Sequence, residues 1–143
     1  MPKPNLRRLA TADDLNGVSP GTLVGLIGLE IVEVDGGTVR SRLDLRDELL
    51  APNGYLHAAT VVALADTTAG YGAWANLPEG ASGFTTIELK TNFVGTALDG
   101  QLGCEATLMH GGRSTQVWDA TVTAVPTGKP IALFRCTQLI LYR

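Results

Sequence analysis

The sequence predicts an α+β fold in which an antiparallel β-sheet wraps around one long central helix. Three observations lead there. Residues 58–76 form an apolar run with frequent Ala, no Pro, no Lys, Arg or Glu, and a single carboxylate, Asp66. Such a run reads as a helix, and a helix apolar on all sides reads as buried. Strand-like stretches punctuated by tight-turn signals lie before and after it. No other segment is long enough to cover the apolar face of a sheet built from them.

The elements follow in order. Leu6 to Leu15 is expected as a short helix and Asn16 to Gly21 as a loop. Ser19-Pro20 offers an N-cap and an N1 proline for a helical turn over 21–27. Leu29 to Asp35 is rich in β-branched residues and reads as a strand. Gly36-Gly37 is a hairpin signal, and Thr38 to Leu45 alternates polar and apolar residues as a half-buried strand does. Arg46 to Leu56 is a loop carrying the turn Pro52-Asn53-Gly54. In the central helix Gly70 and Gly72 each cost about 1 kcal/mol relative to Ala, so close packing is expected against them.

Leu77-Pro78-Glu79-Gly80 stops the helix. Phe84 to Phe93 is then expected as a strand with Ile87, Leu89 and Thr91 on one face. Further strands are expected over Gln101–His110, Arg113–Val125 and Pro130–Tyr142, with turns at 97–100, Gly111-Gly112 and 127–129. The short connections imply antiparallel pairing in a single sheet of about five or six strands. No repeat or linker interrupts the chain, which reads as one domain over 1–143 with 1–20 as an N-terminal extension.

The net charge is −3 and no basic run occurs, which argues against nucleic acid or an anionic membrane as partner. A membrane-spanning reading of 58–76 fails on Asp66, Thr60, Thr67, Thr68 and the two glycines. The N-terminus has no apolar core of a secretory signal, so a cytoplasmic location is expected. Cys104 and Cys136 lie in strand-like runs and are expected as buried free thiols. With two His and two Cys, no zinc-type ligand cluster is expected. A lone carboxylate on a buried helix is costly unless paired or functional, which singles out Asp66.

The stretch N-G-Y-L-H-A-A, leading to Leu64-Ala65-Asp66, resembles the acyl-CoA thioesterases of the phenylacetate-pathway (PaaI-like) type, which have the hotdog fold. Their motif commonly reads N-x-x-G-x-x-H-G-G followed by Leu-Ala-Asp, and Gly54, His57 and Asp66 match it. The segments T-T-I-E-L-K-T-N-F-V-G-T-A and G-G-R-S-T-Q-V-W-D resemble the family's later strands. Two departures stand out. H-G-G is H-A-A here, which keeps the backbone N–H of Ala58. The family's Asn falls on Ala51, with Asn53 two residues later.

The resemblance implies a thioester hydrolase in which Asp66 is general base or nucleophile. The first N–H groups of the central helix, that of Ala58 with His57 beside it, would polarise the thioester oxygen. Asn53 stands where the missing Asn would be replaced, and Thr86 matches the family strand. Gly54, Thr67, Lys90 and Arg113 are the further substrate-binding candidates, the two cations for the phosphates of coenzyme A. No cofactor is expected, coenzyme A being part of the substrate.

Asp66 lies nine residues after His57, about 13–14 Å along one helix. One subunit is therefore not expected to bring both groups to one carbonyl. A homodimer, or a dimer of dimers, would pair Asp66 of one chain with His57 of the other, as the resembling family does. Two alternatives carry different chemistry: a hotdog hydratase or dehydratase, and a non-catalytic acyl-CoA-binding module.

Overall fold

The computed structural model describes residues 9–143. Residues 6–8 of the expected first helix lie outside them. Its described part is α1 (Ala12–Gly17), opened by a capping box in which Thr11 and Asp14 satisfy each other's backbone N–H groups. The expected cap at Ser19 is not formed. Thr22 is the N-cap of α2 (Leu23–Ile27), and the buried Ser19 hydroxyl donates to Leu15 O at 3.0 Å and accepts from Tyr71 Oη at 2.9 Å. A hydroxyl with a buried phenol in reach is satisfied there, so the helix starts three residues later.

The hairpin β1 (Glu30–Asp35) and β2 (Thr38–Asp44) turns at Gly36-Gly37 as expected. A short 3-10 turn at Asp47–Leu49 follows, and then α3 (Ala58–Ala75), which ends one residue before the expected boundary. The remaining strands are β3 (Ala81–Phe93), β4 (Gln101–Gly111), β5 (Thr115–Ala124) and β6 (Lys129–Tyr142). All six pair antiparallel in one sheet ordered β1-β2-β4-β5-β6-β3.

Period-two patterning aims the sheet at the helix. In β5 the residues Gln116, Trp118, Ala120, Val122 and Ala124 are buried and the alternate ones are not. The core lies between this face and α3, with Leu64, Ala65, Ala69, Leu102, Ala106, Trp118 and Phe134 at its centre. Gly72 is where the closest approach occurs: a Cβ there would lie 2.5 Å from the Trp118 ring. Gly72 thus answers to packing as expected, whereas a Cβ on Gly70 would meet only an ordinary contact, 3.5 Å from the Phe84 ring.

Two features differ from expectation. A β-bulge follows Thr86, which pairs with Gln138 while Glu88 pairs with Thr137. Ile87 is the extra residue, so the inward series runs Phe84, Thr86, then Leu89, Thr91 and Phe93, paired with the buried Ile140, Gln138, Cys136, Phe134 and Ala132. The sheet also does not enclose α3. Ala59, Ala63, Asp66, Thr67, Gly70 and Trp74, at helical spacing along one side, remain partly or fully exposed. Beside that stripe runs β3, an edge strand whose Ile87, Leu89 and Phe93 are 56, 42 and 49 % exposed.

Candidate active site

The loop before α3 is built to present its first turn. Leu50 and Leu56 form a bridge, Ala51 N–H donates to Tyr55 O at 2.7 Å, and Gly54 N–H donates to Ala51 O. Gly54 sits at φ +86°, a conformation that favours glycine. Asn53 Oδ1 accepts from Tyr55 N–H, so this carboxamide closes its own turn. Ala51 contributes only a methyl.

His57 is the N-cap of α3, its Nδ1 accepting from Ala59 N–H at 2.9 Å. That bond leaves Nε2 as the ring nitrogen free to carry a proton outward. Thr60 N–H reaches His57 O. The Ala58 N–H, first of the helix, has no acceptor within it and is exposed, at the positive end of the helix dipole. His57, Ala59, Thr60 and Ala63 line a cavity of about 590 Å³ together with Leu23, Leu26, Leu49 and Arg46. Arg46 is held there by donating to Leu26 O and Ile27 O.

Asp66 opens on a different depression, about 200 Å³, shared with Val24, Thr67, Gly70, Tyr71, Trp74, Phe84 and Thr86. Its Oδ1 is buried with no hydrogen-bond partner. Burial pushes the carboxyl above its usual range. The sign for stability follows. A carboxyl raised in the folded chain holds its proton across the window between the unfolded and folded pKa. The native state is therefore favoured below that window and loses this advantage as pH rises through it. The stability gap between the parent and Asp66→Asn is expected to widen with pH across that window in urea titrations. A gap independent of pH would show that the carboxyl is solvated in the native state.

Two sequence candidates lie apart from both cavities. Lys90 pairs across the ladder with Arg135, on the outer face of the sheet, where Arg135 is ion-paired with Asp119. Arg113 is exposed, its guanidinium 5.2 Å from the ring centroid of Tyr142. Thr67 and Thr86 join Asp66. His57, Ala58 and the Asn53-Gly54 turn lie at the N-terminus of α3. The residue not anticipated is Gln138, fully buried, whose Oε1 accepts from Thr86 Oγ1 at 2.6 Å. Its signal was an amide in the inward, otherwise apolar series of β6.

A six-stranded antiparallel sheet with one long helix packed against it is the hotdog fold. The family model described as "Thioesterase superfamily" matches residues 53–131, and the chain belongs to that family. A 1,4-dihydroxy-2-naphthoyl-CoA hydrolase from Listeria monocytogenes is 33 % identical over 111 residues, 78 % of this chain and 89 % of that one. A crystal structure of a mutant of thioesterase PA1618 from Pseudomonas aeruginosa superposes with a TM-score of 0.86 at 22 % identity, covering 91 % of this chain and 93 % of that one. The E. coli PaaI protein from the phenylacetic acid degradation operon shares the fold with a TM-score of 0.72 at 22 % identity, over 81 % and 86 % of the two chains. Among the described residues no helix is long and apolar enough to cross a membrane.

Proposed function

We propose that the protein hydrolyses acyl-CoA thioesters in a homodimer whose active site is shared between subunits. One observation carries the reading: Asp66, with a buried oxygen that no donor satisfies, stands on the one stripe of α3 that its own sheet leaves open. The Listeria relative, named as a CoA thioester hydrolase, supports the substrate class.

The open stripe and the exposed edge β3 adjoin, and a second copy would cover both. A two-fold axis that faces Asp66 towards the partner's α3 N-terminus does the same for the partner's Asp66. Small residues, Ala59 and Ala63, lie on the stripe between the two groups and permit close approach of the helices. The two depressions, separate in one chain, then become parts of one site.

In that site the Ala58 N–H, aided by His57, polarises the carbonyl oxygen and stabilises the oxyanion. With Asp66 as base, water adds to the carbonyl carbon and gives its proton to the carboxylate. The C–S bond breaks, and the thiolate of coenzyme A leaves with that proton. With Asp66 as nucleophile, the carboxylate adds instead, the C–S bond breaks to expel the thiolate and leave a mixed anhydride, and water hydrolyses that anhydride to the free acid and the Asp66 carboxylate, its released proton going to the thiolate. Both routes require the ionised carboxylate, so turnover falls as pH drops through the raised pKa of Asp66.

Thiol release across a panel of saturated acyl-CoAs tests the activity. Free thiol is expected, whereas acyl-CoA bound without turnover would overturn it. Mixing tests the sharing. Asp66→Ala chains combined with chains blocked by Ala58→Trp are expected to regain activity in heterodimers, each of which keeps one intact site. Heterodimers that form and stay inactive would refute a shared site.

A further inference from the structure

The cavity beside Asp66 contains a second oriented group, and its orientation is set from below. Thr86 and Gln138 face each other across the β3–β6 ladder, and the bulge at Ile87 begins immediately after Thr86. Bulges of this kind re-aim the side chain beside them. The Thr86 hydroxyl donates to Gln138 Oε1 at 2.6 Å. Gln138 is 0 % exposed, and its Nε2 is turned to Cys136 Sγ at 3.5 Å. The amide is thereby held between the two neighbours, with its oxygen towards Thr86.

A hydroxyl has one hydrogen and two lone pairs. Since the hydrogen of Thr86 is spent on Gln138, Thr86 can offer the cavity only an acceptor. The ionised Asp66 is acceptor-only as well. With Oδ1 shut away from solvent, Oδ2 is the oxygen left to the cavity. A cavity of about 200 Å³ exceeds the roughly 30 Å³ that a water occupies in the liquid. Two acceptors facing one such space are satisfied together by a water that donates to both.

We propose that Gln138 is a positioning residue for hydrolysis: by taking the hydrogen of Thr86 it makes Thr86 and Asp66 a pair of acceptors that hold one water by both its hydrogens, with its lone pair directed at the thioester carbonyl. This rests on the thioesterase reading and deepens it, because a water held in this way assigns Asp66 the role of base. Asp66 accepts one hydrogen as a proton while the oxygen bonds to the carbonyl carbon. Thr86 retains the other by hydrogen bond. The proton on Asp66 then leaves with the thiolate when the C–S bond breaks.

The alternative arrangement has the opposite sign. If Thr86 donated to Asp66, it would stabilise the carboxylate and lower its pKa. The structure places no such donor on Oδ1, and burial, the cause of the upward shift, acts unopposed. The other titratable group that senses the Asp66 charge is Cys136 on β6, whose thiol is pushed up to about 12 and stays protonated across the working range.

The experiment is a cycle of Gln138→Met, Thr86→Val and their double variant, read by kcat, KM and carbon NMR titration of Asp66. Gln138→Met keeps the length of the side chain and removes its acceptor. The freed Thr86 hydrogen then turns to the water, which loses its second acceptor and donates more strongly to Asp66. Turnover is expected to fall about tenfold with KM unchanged, a part of the roughly 10²–10⁴-fold that a general base contributes, and the Asp66 titration is expected to move to lower pH. In the Thr86→Val background Gln138→Met is expected to add nothing to the loss.

Equal losses from Gln138→Met with and without Thr86 would overturn the proposal. So would a folded Gln138→Met chain with the parent turnover and pH profile. Should Gln138→Met fail to fold, Thr86→Val alone decides: an upward shift of the Asp66 titration would mean that Thr86 donates to the carboxylate, and the proposal falls, whereas reduced kcat without an upward shift supports it. Failure of the thioesterase reading is distinguishable, since the parent protein would then release no thiol at all.

Discussion

Asp66→Asn is expected to lower turnover by about 100-fold or more, as for loss of a general base, while acyl-CoA binding weakens far less. The amide keeps the shape of the side chain but can neither take a proton nor attack a carbonyl. The interaction it loses belongs mainly to the transition state, so the loss falls on kcat rather than KM. The same substitution is expected to raise stability at neutral pH, because the parent side chain holds a buried oxygen with no donor and a carboxyl raised by burial. Steady-state kinetics and thermal unfolding on one preparation check both halves. Parent-like turnover would make Asp66 a structural residue. A gain in stability alongside lost turnover is the signature of a group kept for chemistry.

The second large effect concerns the contact between α3 and the sheet. Trp118 is 0 % exposed, its indole N–H donates to Gln116 Oε1 at 2.8 Å, and Gln116 in turn donates to Asn76 O at the end of α3. Trp118→Ala is expected to cost about 3–5 kcal/mol. Gly72→Ala alone is expected to destabilise by about 1–3 kcal/mol through overpacking, since its Cβ would fall 2.5 Å from the ring. In the Trp118→Ala background the sign reverses. The added methyl then fills vacated space and restores helix propensity worth about 1 kcal/mol. Urea unfolding midpoints at constant m test this, and Trp118→Phe, which leaves a smaller cavity, gives a milder version should Trp118→Ala be too unstable to purify. Gly72→Ala destabilising to the same extent in every background would mean that the ring is not its obstacle.

Much of this architecture was legible from residue types alone. The glycine hairpin at 36–37, the alternation over 113–125 and the apolar run of 58–76 with its single carboxylate each carry a local physical signal, and each element stands within two residues of where it was expected. What was not legible depends on counting across strands. The bulge at Ile87 leaves no trace in the pattern, because Ile87 and Leu89 are apolar whichever of them faces the helix. Ser19 has the chemistry of a helix cap, and only the distant Tyr71 draws it away. The apolar character of α3 suggested a helix enclosed by its own sheet. The half-open stripe shows that an apolar run does not say which of its sides the sheet covers.

For the site, Asp66 and His57 stood out through their isolation and their motif, and both occupy cavities on α3. Their separation was readable from helix rise. The bond between Gln138 and Thr86 was not, because an amide in a strand gains meaning only from the hydroxyl opposite it. Lys90 and Arg113 were singled out by charge, which does not say where they lie: Lys90 is on the outer face of β3 and Arg113 in the connection between β4 and β5.

The two cysteines carry a consequence for how this chain can be assayed. Both are buried and unpaired, and burial drives each thiol up to about 12, Cys104 behind the Ser41 and Thr68 hydroxyls and Cys136 beneath Asp66. Disulfide-exchange dyes react with thiolates. At pH 8 thiols raised this far stay protonated, even where a reagent could reach them. The folded chain is therefore chromogenically silent, and colour in a thiol-release assay reports coenzyme A. Once the core opens, the same two sulfurs become ordinary reagents, so one dye records turnover in the native protein and, without substrate, the frequency with which its sheet lifts from α3.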